Sequence, residues 1–319
     1  MRCIQLGLTL MFGALAAGAA GAQTYPDKPV RFVVAFAPGG PADIIGRLIG
    51  QKLGESWGQS VVIENRAGAG GAIATRFVAK ASADGYTVLV NTSSYAVNAS
   101  LMKDPGYNAE KDLIASINVG SSPNLIVAGA ALKGTLRDVI NQARGGRLNY
   151  GSAGAGTTPH LTAEYLFKVL AGVSVQHIPY QGAGPAMSAV MGGQVEIASV
   201  AMPAAVALVK GGKVRGLAVT SNKRVSALPD VPTVAESGFP GFEDYTWVGL
   251  FLPAGTPGAI VERVNGSVNA ILSTQDTKDR LAAVGFEPVG GTSRDFGSYL
   301  TEEIRKWAKV IKETGTAVE

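Results

Sequence analysis

The stretch VRFVVAFAPGGPADIIGRL, residues 30–48, decides how the rest of the chain is read. Its first seven residues form a nearly unbroken β-branched and aromatic run, the pattern of a strand buried on both faces. Pro38, Gly39, Gly40 and Pro41 break the run, and beyond them Ile44, Ile45, Leu48, Ile49 and Leu53 recur at helical spacing. A strand, a glycine turn and a helix open a βαβ unit. The turn has no Lys, Ser or Thr, so it is not the phosphate loop G-x-x-x-x-G-K-[ST]. Gly40 is placed as the N-cap, Pro41 at the first helical position and Asp43 at the third. Backbone N–H groups left open at such a helix end make an anion site, and Asp43 already uses part of its positive potential. A single carboxylate, held in part through water, suits that end better than a phosphate.

The alternation continues outward. SVVIEN, GAIATRFVAKASA and YTVLVNT read as strand, helix and strand, giving βαβαβ and a parallel sheet with right-handed crossovers. A second series starts near Pro123 and runs NLIVAG, TLRDVINQAR, LNYGSA, PHLTAEYLFKVLAG, VSVQHIPY, PAMSAVMGG, VEIASVAM, AAVALVKGG and VRGLAVTS, alternately strand and helix. In its second helix Leu161, Tyr165, Leu166, Val169 and Leu170 are expected to share one apolar face, closed by Gly172. A Pro-, Gly- and acid-rich connection, SALPDVPTVAESGFPGFEDY, leads to the strand-like TWVGLFLPA and then to three helical stretches with no strand expected among them. These helices are expected to cover the first sheet. The chain therefore leaves a first domain (23–123) near residue 123, builds a second (124–243) and returns near residue 244 to complete the first (244–319), with a cleft between two lobes.

Residues 1–22 are read apart from the fold. Arg2, an apolar segment too short to span a bilayer, and Ala20-Gly21-Ala22 form an export signal, with cleavage expected before Gln23. Cys3, the only cysteine, lies inside it, so the mature chain has no thiol chemistry and no disulfide. The remaining chain has no long apolar run, and its expected location is the periplasm. The net charge of +4, falling to +3 without Arg2, is scattered, with no basic stripe interleaved with aromatics, which argues against nucleic-acid binding.

Catalytic signatures are absent: no G-x-S-x-G, no H-E-x-x-H, and only His160 and His177 as imidazoles. RAGAGG, residues 66–71, follows the second strand and lacks the full dinucleotide pattern, so no cofactor or metal site is expected. GSAGAGTTPH, residues 151–160, is instead a second strand-to-helix turn like the first. Its glycines, Gly154 among them, let backbone approach a ligand; Thr158 can cap the helix, and Ser152, Thr157, Thr158 and His160 add polar side chains. In open α/β sheets ligands bind beyond the carboxyl ends of the strands, where both turns lie. Further candidates at strand ends are Ser93, Ser94 and Tyr95, Tyr180 with the Gly182 backbone, and Ser199 with Met202.

At this point the motifs YPDKPVRFVVAFAPGGPADIIGR, VVIENRAGAGGAIA, ADGYTVLV, GSAGAGTTPHLTAEYLF, HIPYQGAGPAMSAVMGGQVEIA, GKVRGLAVT and LPDVPTVAESGFPGFE, spread over nearly the whole chain, resemble the Bug family. These are extracytoplasmic solute receptors of tripartite tricarboxylate transporters. The resemblance implies a two-lobed class II periplasmic binding protein fold, α/β with a mainly parallel sheet flanked by helices in each lobe. It also implies a small organic carboxylate in the cleft, held between the Phe36–Asp43 loop, including Gly39 and Gly40, and the Ser152–Thr158 loop, partly through ordered water. His160, Tyr180 and the NTSS stretch would supply the remaining contacts, and the partners would be transporter membrane components, with the receptor a monomer. Two departures stand out: Glu196 where the family often has Asp, which would alter the cleft floor, and Gly46 where it more often has Ala. Two other functions use the same pocket: a periplasmic hydrolase with His160 as base beside a serine, and a sensor presenting its ligand to a histidine kinase.

Overall fold

The β-branched run that opens the chain becomes the strand β1 (Val30–Val34) of a computed structural model, which describes residues 25–146 and 148–316. The expected export signal lies outside these residues. After β1 come α1 (Pro41–Trp57), β2 (Val61–Asn65), α2 (Ala72–Ala79), β3 (Thr87–Thr92) and α3 (Ser94–Leu101). β2 and β3 flank β1 and pair with it in parallel, as the βαβαβ reading requires. The helix α3 is absent from that reading: six of its eight residues are buried, so it has no polar face to mark a helical period.

The strand β4 (Leu113–Ala128) follows, and it carries the architecture. Up to Pro123 it pairs antiparallel with β9 (Tyr245–Pro253), and from Asn124 it pairs with β7 (Ile197–Ala201) and β8 (Arg215–Val219). One strand thus belongs to both halves of the sheet. Only its second half is legible in the sequence, because Gly120, Ser121, Ser122 and Pro123 read as a turn. Between β4 and β9 the second half is built from α4 (Leu136–Ala143), β5 (Asn149–Ser152), α5 (Thr158–Glu164), β6 (Gln176–Pro179), α6 (Ala183–Met191), β7, α7 (Val206–Lys210) and β8. Parallel pairs join β5 to β6 and β7, so each half keeps the expected parallel strands while β4 and β9 add antiparallel ones at the centre of a mixed sheet.

Along β4 the side chains alternate. Leu125 and Val127 enter one core of the second half, with Met187 and Val190 of α6, while Ile126 and Ala128 enter another, with Val139 and Phe167. A third core fills the first half around β1, β3 and β9 and the terminal helices.

Three expectations are corrected. The terminal helices α8 (Gly258–Ser273), α9 (Gln275–Ala283) and α10 (Ser293–Thr314) do cover the first half, but a strand, β10 (Glu287–Gly290), lies among them and pairs antiparallel with β4. Four residues containing Pro and Gly carry no periodicity to announce it. The apolar face expected after Pro159 holds only in part: Leu161 and Leu166 are buried, but α5 continues into a π-helical turn (Tyr165–Leu170), which leaves Tyr165, Val169 and Leu170 at the surface and buries Phe167 in their place. Glu196 sits at the start of β7, accepting from the Asn149 backbone at 2.9 Å, at the opposite end of the strands from the cleft. It therefore does not shape the cleft floor.

Candidate functional site

The carboxyl ends of β1, β5 and β6 each feed a glycine-containing turn and then a helix. Each turn leaves a helix N-terminus facing the junction of the two halves. In α1 the N-cap is Gly40 with Pro41 next, as expected. In α5 the N-cap is Thr157, so Thr158 is the first helical residue rather than the cap. In α6 the N-cap is Gly182.

These ends meet around a small cavity open to solvent, lined by Gly40 and Pro41 from α1, Thr157 and Pro159 from α5, and Ala183 from α6. Phe36, Thr92, Ala153, Ala201 and Thr246 complete it. A wider mouth continues outward over Phe36 and Ala153 to Gly68–Gly70, Met102, Tyr180 and Gln181. Among the described residues lining either space, none is Lys, Arg, His, Asp or Glu.

The two halves touch closely beside the cavity. The Ala37 N–H donates to the Gln181 carbonyl at 2.9 Å. A Cβ on Gly184 would overlap the Pro38 carbonyl oxygen across the junction, and within the second half one on Gly154 would lie 3.0 Å from the Tyr180 carbonyl oxygen. Gly39 (φ +87°) packs against Gly184, and Gly154 (φ +136°) adopts a backbone that other residues rarely enter.

Behind the walls a chain of hydroxyls and amides runs from one half to the other. The Thr246 hydroxyl donates to Asn124 Oδ1 at 2.7 Å, so Thr158 donates to Thr246 at 2.6 Å and Ser93 to Thr158 at 2.9 Å. Asn124 Nδ2 donates in turn to Asp244 Oδ2 at 2.9 Å, which also accepts from Thr162. Burial pushes the Asp244 carboxyl up to about 6, against the lowering influence of Thr162 and Lys306.

The residues singled out in the sequence therefore separate. Phe36, Gly40 and Thr157 line the inner cavity, and Gly154 and Tyr180 line its mouth with Phe36. Gly39 and Gly182 make the backbone contacts between the halves. Asp43 turns back on its own loop, accepting from the Gly39 N–H, Arg47 and Asn65. Burial acts to raise its pKa, but these hydrogen bonds outweigh it and hold the carboxylate ionised. Ser94 bonds Thr92 at 2.7 Å, and Ser199 is fully buried on β7 with no hydrogen-bond partner among the described residues.

His160 lies behind the wall: its Nδ1 accepts from the Gly156 N–H at 3.3 Å, and its ring stacks on His177 at 4.0 Å. Burial lowers His160 to about 4 and His177 to about 3, the second helped by its neighbour, so both are neutral at pH 7. The Ser152 hydroxyl, fully buried, bonds His177 Nε2 at 2.7 Å and the Gly154 carbonyl at 3.2 Å. Ala183, Ala201 and Thr246 were missed by sequence reasoning, because none carries distinctive chemistry, whereas Thr92 and Ala153 fall within the NTSS stretch and the Ser152–Thr158 loop. Among the described residues no cluster of three or more His, Cys, Asp or Glu could hold a metal, and no helix is long and apolar enough to cross a membrane.

Comparison with known proteins places this architecture. Residues 45–316 match the family model of the tripartite tricarboxylate transporter family receptor. BugT of Bordetella pertussis is 38% identical over 303 residues, 93% of each chain. A solved R. palustris protein with adipate is 38% identical, with a TM-score of 0.89 over 92% of this chain and 99% of its own. MatC from Rhodopseudomonas palustris, with bound malate, is 31% identical, with a TM-score of 0.84 over 90% of this chain and all of its own. With that match over most of its length, the chain belongs to the tripartite tricarboxylate transporter receptor family, and with it to the Bug receptors that its motifs resemble.

Proposed function

We propose that this chain is an exported, monomeric receptor that captures a small organic carboxylate in the periplasm and presents it to the membrane components of a tripartite tricarboxylate transporter. Two lobes, residues 23–123 with 244–319 and residues 124–243, close over the ligand. The observation that carries this reading is the convergence of the α1, α5 and α6 N-termini on one cavity without a charged side chain. Backbone N–H groups and helix dipoles favour an anion there, and the absence of Lys or Arg favours one of low charge.

Magnitudes set the rest of the design. One helix end supplies about 0.3–2 kcal/mol, whereas micromolar affinity needs about 8. Three ends fall short, so direct and water-mediated hydrogen bonds and enclosure between the lobes supply the remainder. Relatives solved with adipate and with malate support a carboxylate ligand. No bond is made or broken in this reading. The Ser–His pair beside the cavity, Ser152 with His177, is tied to the Gly154 carbonyl and buried, and His160 already accepts a backbone hydrogen bond. Neither geometry presents a nucleophile to a ligand, and no observation favours the sensor.

The test is thermal shift and tryptophan fluorescence across a carboxylate panel, with mass spectrometry of ligand released on denaturation. A carboxylate at 100 times its Kd should stabilise the protein by about 2.7 kcal/mol without being consumed. Turnover abolished by His160→Ala would overturn the receptor reading.

A further inference from the structure

We infer that Asn98 is a positioning residue for ligand capture: its amide holds the loop between β2 and α2 where that loop meets the ligand-facing turn of the other lobe. The inference rests on the receptor reading above and adds a residue to the machinery of that site.

The loop has an uncommon backbone. Gly68, Ala69, Gly70 and Gly71 all have positive φ, at 127°, 48°, 56° and 96°, and among the described residues Ala69 is the only one other than glycine to do so. A left-handed conformation is disfavoured for any residue with a Cβ and persists where the surroundings over-determine it. Gly68, Ala69 and Gly70 line the mouth of the cavity from the first lobe, and Gly154 and Ala155 line it from the second. There the two backbones touch: a Cβ on Gly70 would lie 2.6 Å from the Ala155 carbonyl oxygen.

Asn98, fully buried on α3, sits at this contact. Its Nδ2 donates to the Gly70 carbonyl at 2.9 Å. Its Oδ1 has no hydrogen-bond partner among the described residues and faces Gly156 of the second lobe, where a Cβ would lie 2.7 Å away. The N–H groups on either side are committed, Gly156 to His160 Nδ1, Thr157 to the Gly154 carbonyl and Gly71 to the Gly68 carbonyl. Turning the amide over would set Oδ1 against the Gly70 carbonyl oxygen, so the acceptor stays unmade while the donor is used. An apolar side chain of the same shape would leave no such acceptor. The fold keeps the amide nonetheless, and what the amide supplies is a tie on the loop that meets the other lobe.

Asn98→Leu separates that tie from folding. One hydrogen bond is lost and one unmade acceptor goes with it, so the urea midpoint of the empty protein should stay within about 0.3 M of wild type. Release of the tightest binder among adipate, malate, citrate, glutamate and benzoate, followed by stopped-flow tryptophan fluorescence, should become about five- to tenfold faster, as loss of one buried hydrogen bond from the closed state implies. Asn98→Asp at about pH 8, which sets a carboxylate against the Gly70 carbonyl, should release it faster still. In the wild type, where no variant has to fold, the same ligand should slow hydrogen exchange in residues 68–72 together with residues 154–157. Release from Asn98→Leu within about twofold of wild type would overturn the inference. So would a fall in its urea midpoint large enough to account for the faster release, or exchange in residues 68–72 that the ligand leaves unchanged. If none of the five carboxylates bound at millimolar concentration, the carboxylate reading itself would fall, and this inference with it.

Discussion

Gly184→Ala separates closure from folding. Gly184 lies in the first turn of α6 without a positive φ, so within its own helix alanine is the better residue by about 0.5–1 kcal/mol. Its added methyl, however, would overlap the Pro38 carbonyl oxygen of the opposite lobe. The two loops must then separate, breaking the 2.9 Å bond from the Ala37 N–H to the Gln181 carbonyl, which is worth about 1 kcal/mol. Overpacking where they still touch adds about 1–3 kcal/mol. The combined cost of about 2–4 kcal/mol falls on the closed state alone, and corresponds to binding weakened about 30- to 1,000-fold. Calorimetric titration with the co-purified or best-binding carboxylate measures that loss, and urea unfolding without ligand measures the stability of the unliganded protein, expected to change by less than about 1 kcal/mol. Affinity within about threefold of wild type would refute the claim that these loops meet in the ligand-bound state. A matching loss of stability without ligand would refute the claim that the contact is reserved for closure.

Asp244→Asn tests the buried carboxyl. Because burial raises its pKa from 3.8 to about 6, the folded chain holds the proton more tightly than the unfolded one; the stability this gives is present below pH 4 and lost as pH rises to 6, by up to about 3 kcal/mol. The variant, keeping an acceptor for Asn124 and Thr162, should gain on wild type across that window in urea unfolding; a constant difference would contradict the assignment. The histidines act in the opposite sense. Lowered by burial, His177 contributes stability above pH 6.5 that is lost as pH falls toward 3, so His177→Gln, which retains a donor for Ser152, should flatten the acid limb of a stability–pH curve. Thr246→Val strands Asn124 Oδ1 and breaks the link to Thr158, and should lower unfolding stability by about 1–3 kcal/mol. Gly46→Ala should raise it by about 0.5–1 kcal/mol, because its methyl would meet Val90 at an ordinary 3.4 Å inside α1.

The alternating strands and helices were legible because a period of 2 or 3.6 and the glycine-proline turns between them are local signals. Residues 113–123 were not, since Gly120 and Pro123 punctuate the sequence as a turn would, yet one sits at a register shift and the other where β4 exchanges partners. The same asymmetry governs the site. Its helix N-termini were visible at Gly40 and, one residue late, at Thr158, because backbone binding requires small residues and caps, whereas Gly182 was noticed for its backbone and not as a cap. Its walls were not, because Ala183 and Ala201 act through smallness alone. Asp43 accepts within its own turn, as its place in the first helical turn implied, whereas His160, noticed as a possible base, is occupied by its own loop. No sequence period shows which of two polar side chains points at a ligand and which braces the wall behind it.

The sixteen-residue strand β4 makes the two lobes inseparable in a sense that closure alone would not require. Its first half is an interior strand held by β9 and β10, and its second half is an interior strand held by β7 and β8, with no loop between them at which the chain could be cut. A fragment ending at residue 123 would lack β9, the strand that lies between β3 and β4, and one beginning at 124 would carry β9 without either of these neighbours. Each would expose a row of unpaired backbone groups that invites association with other chains. Evolutionary or laboratory exchange of one lobe between relatives must therefore graft along β4 as well as at β9, and the two lobes inherit their partners, register and stability as one unit.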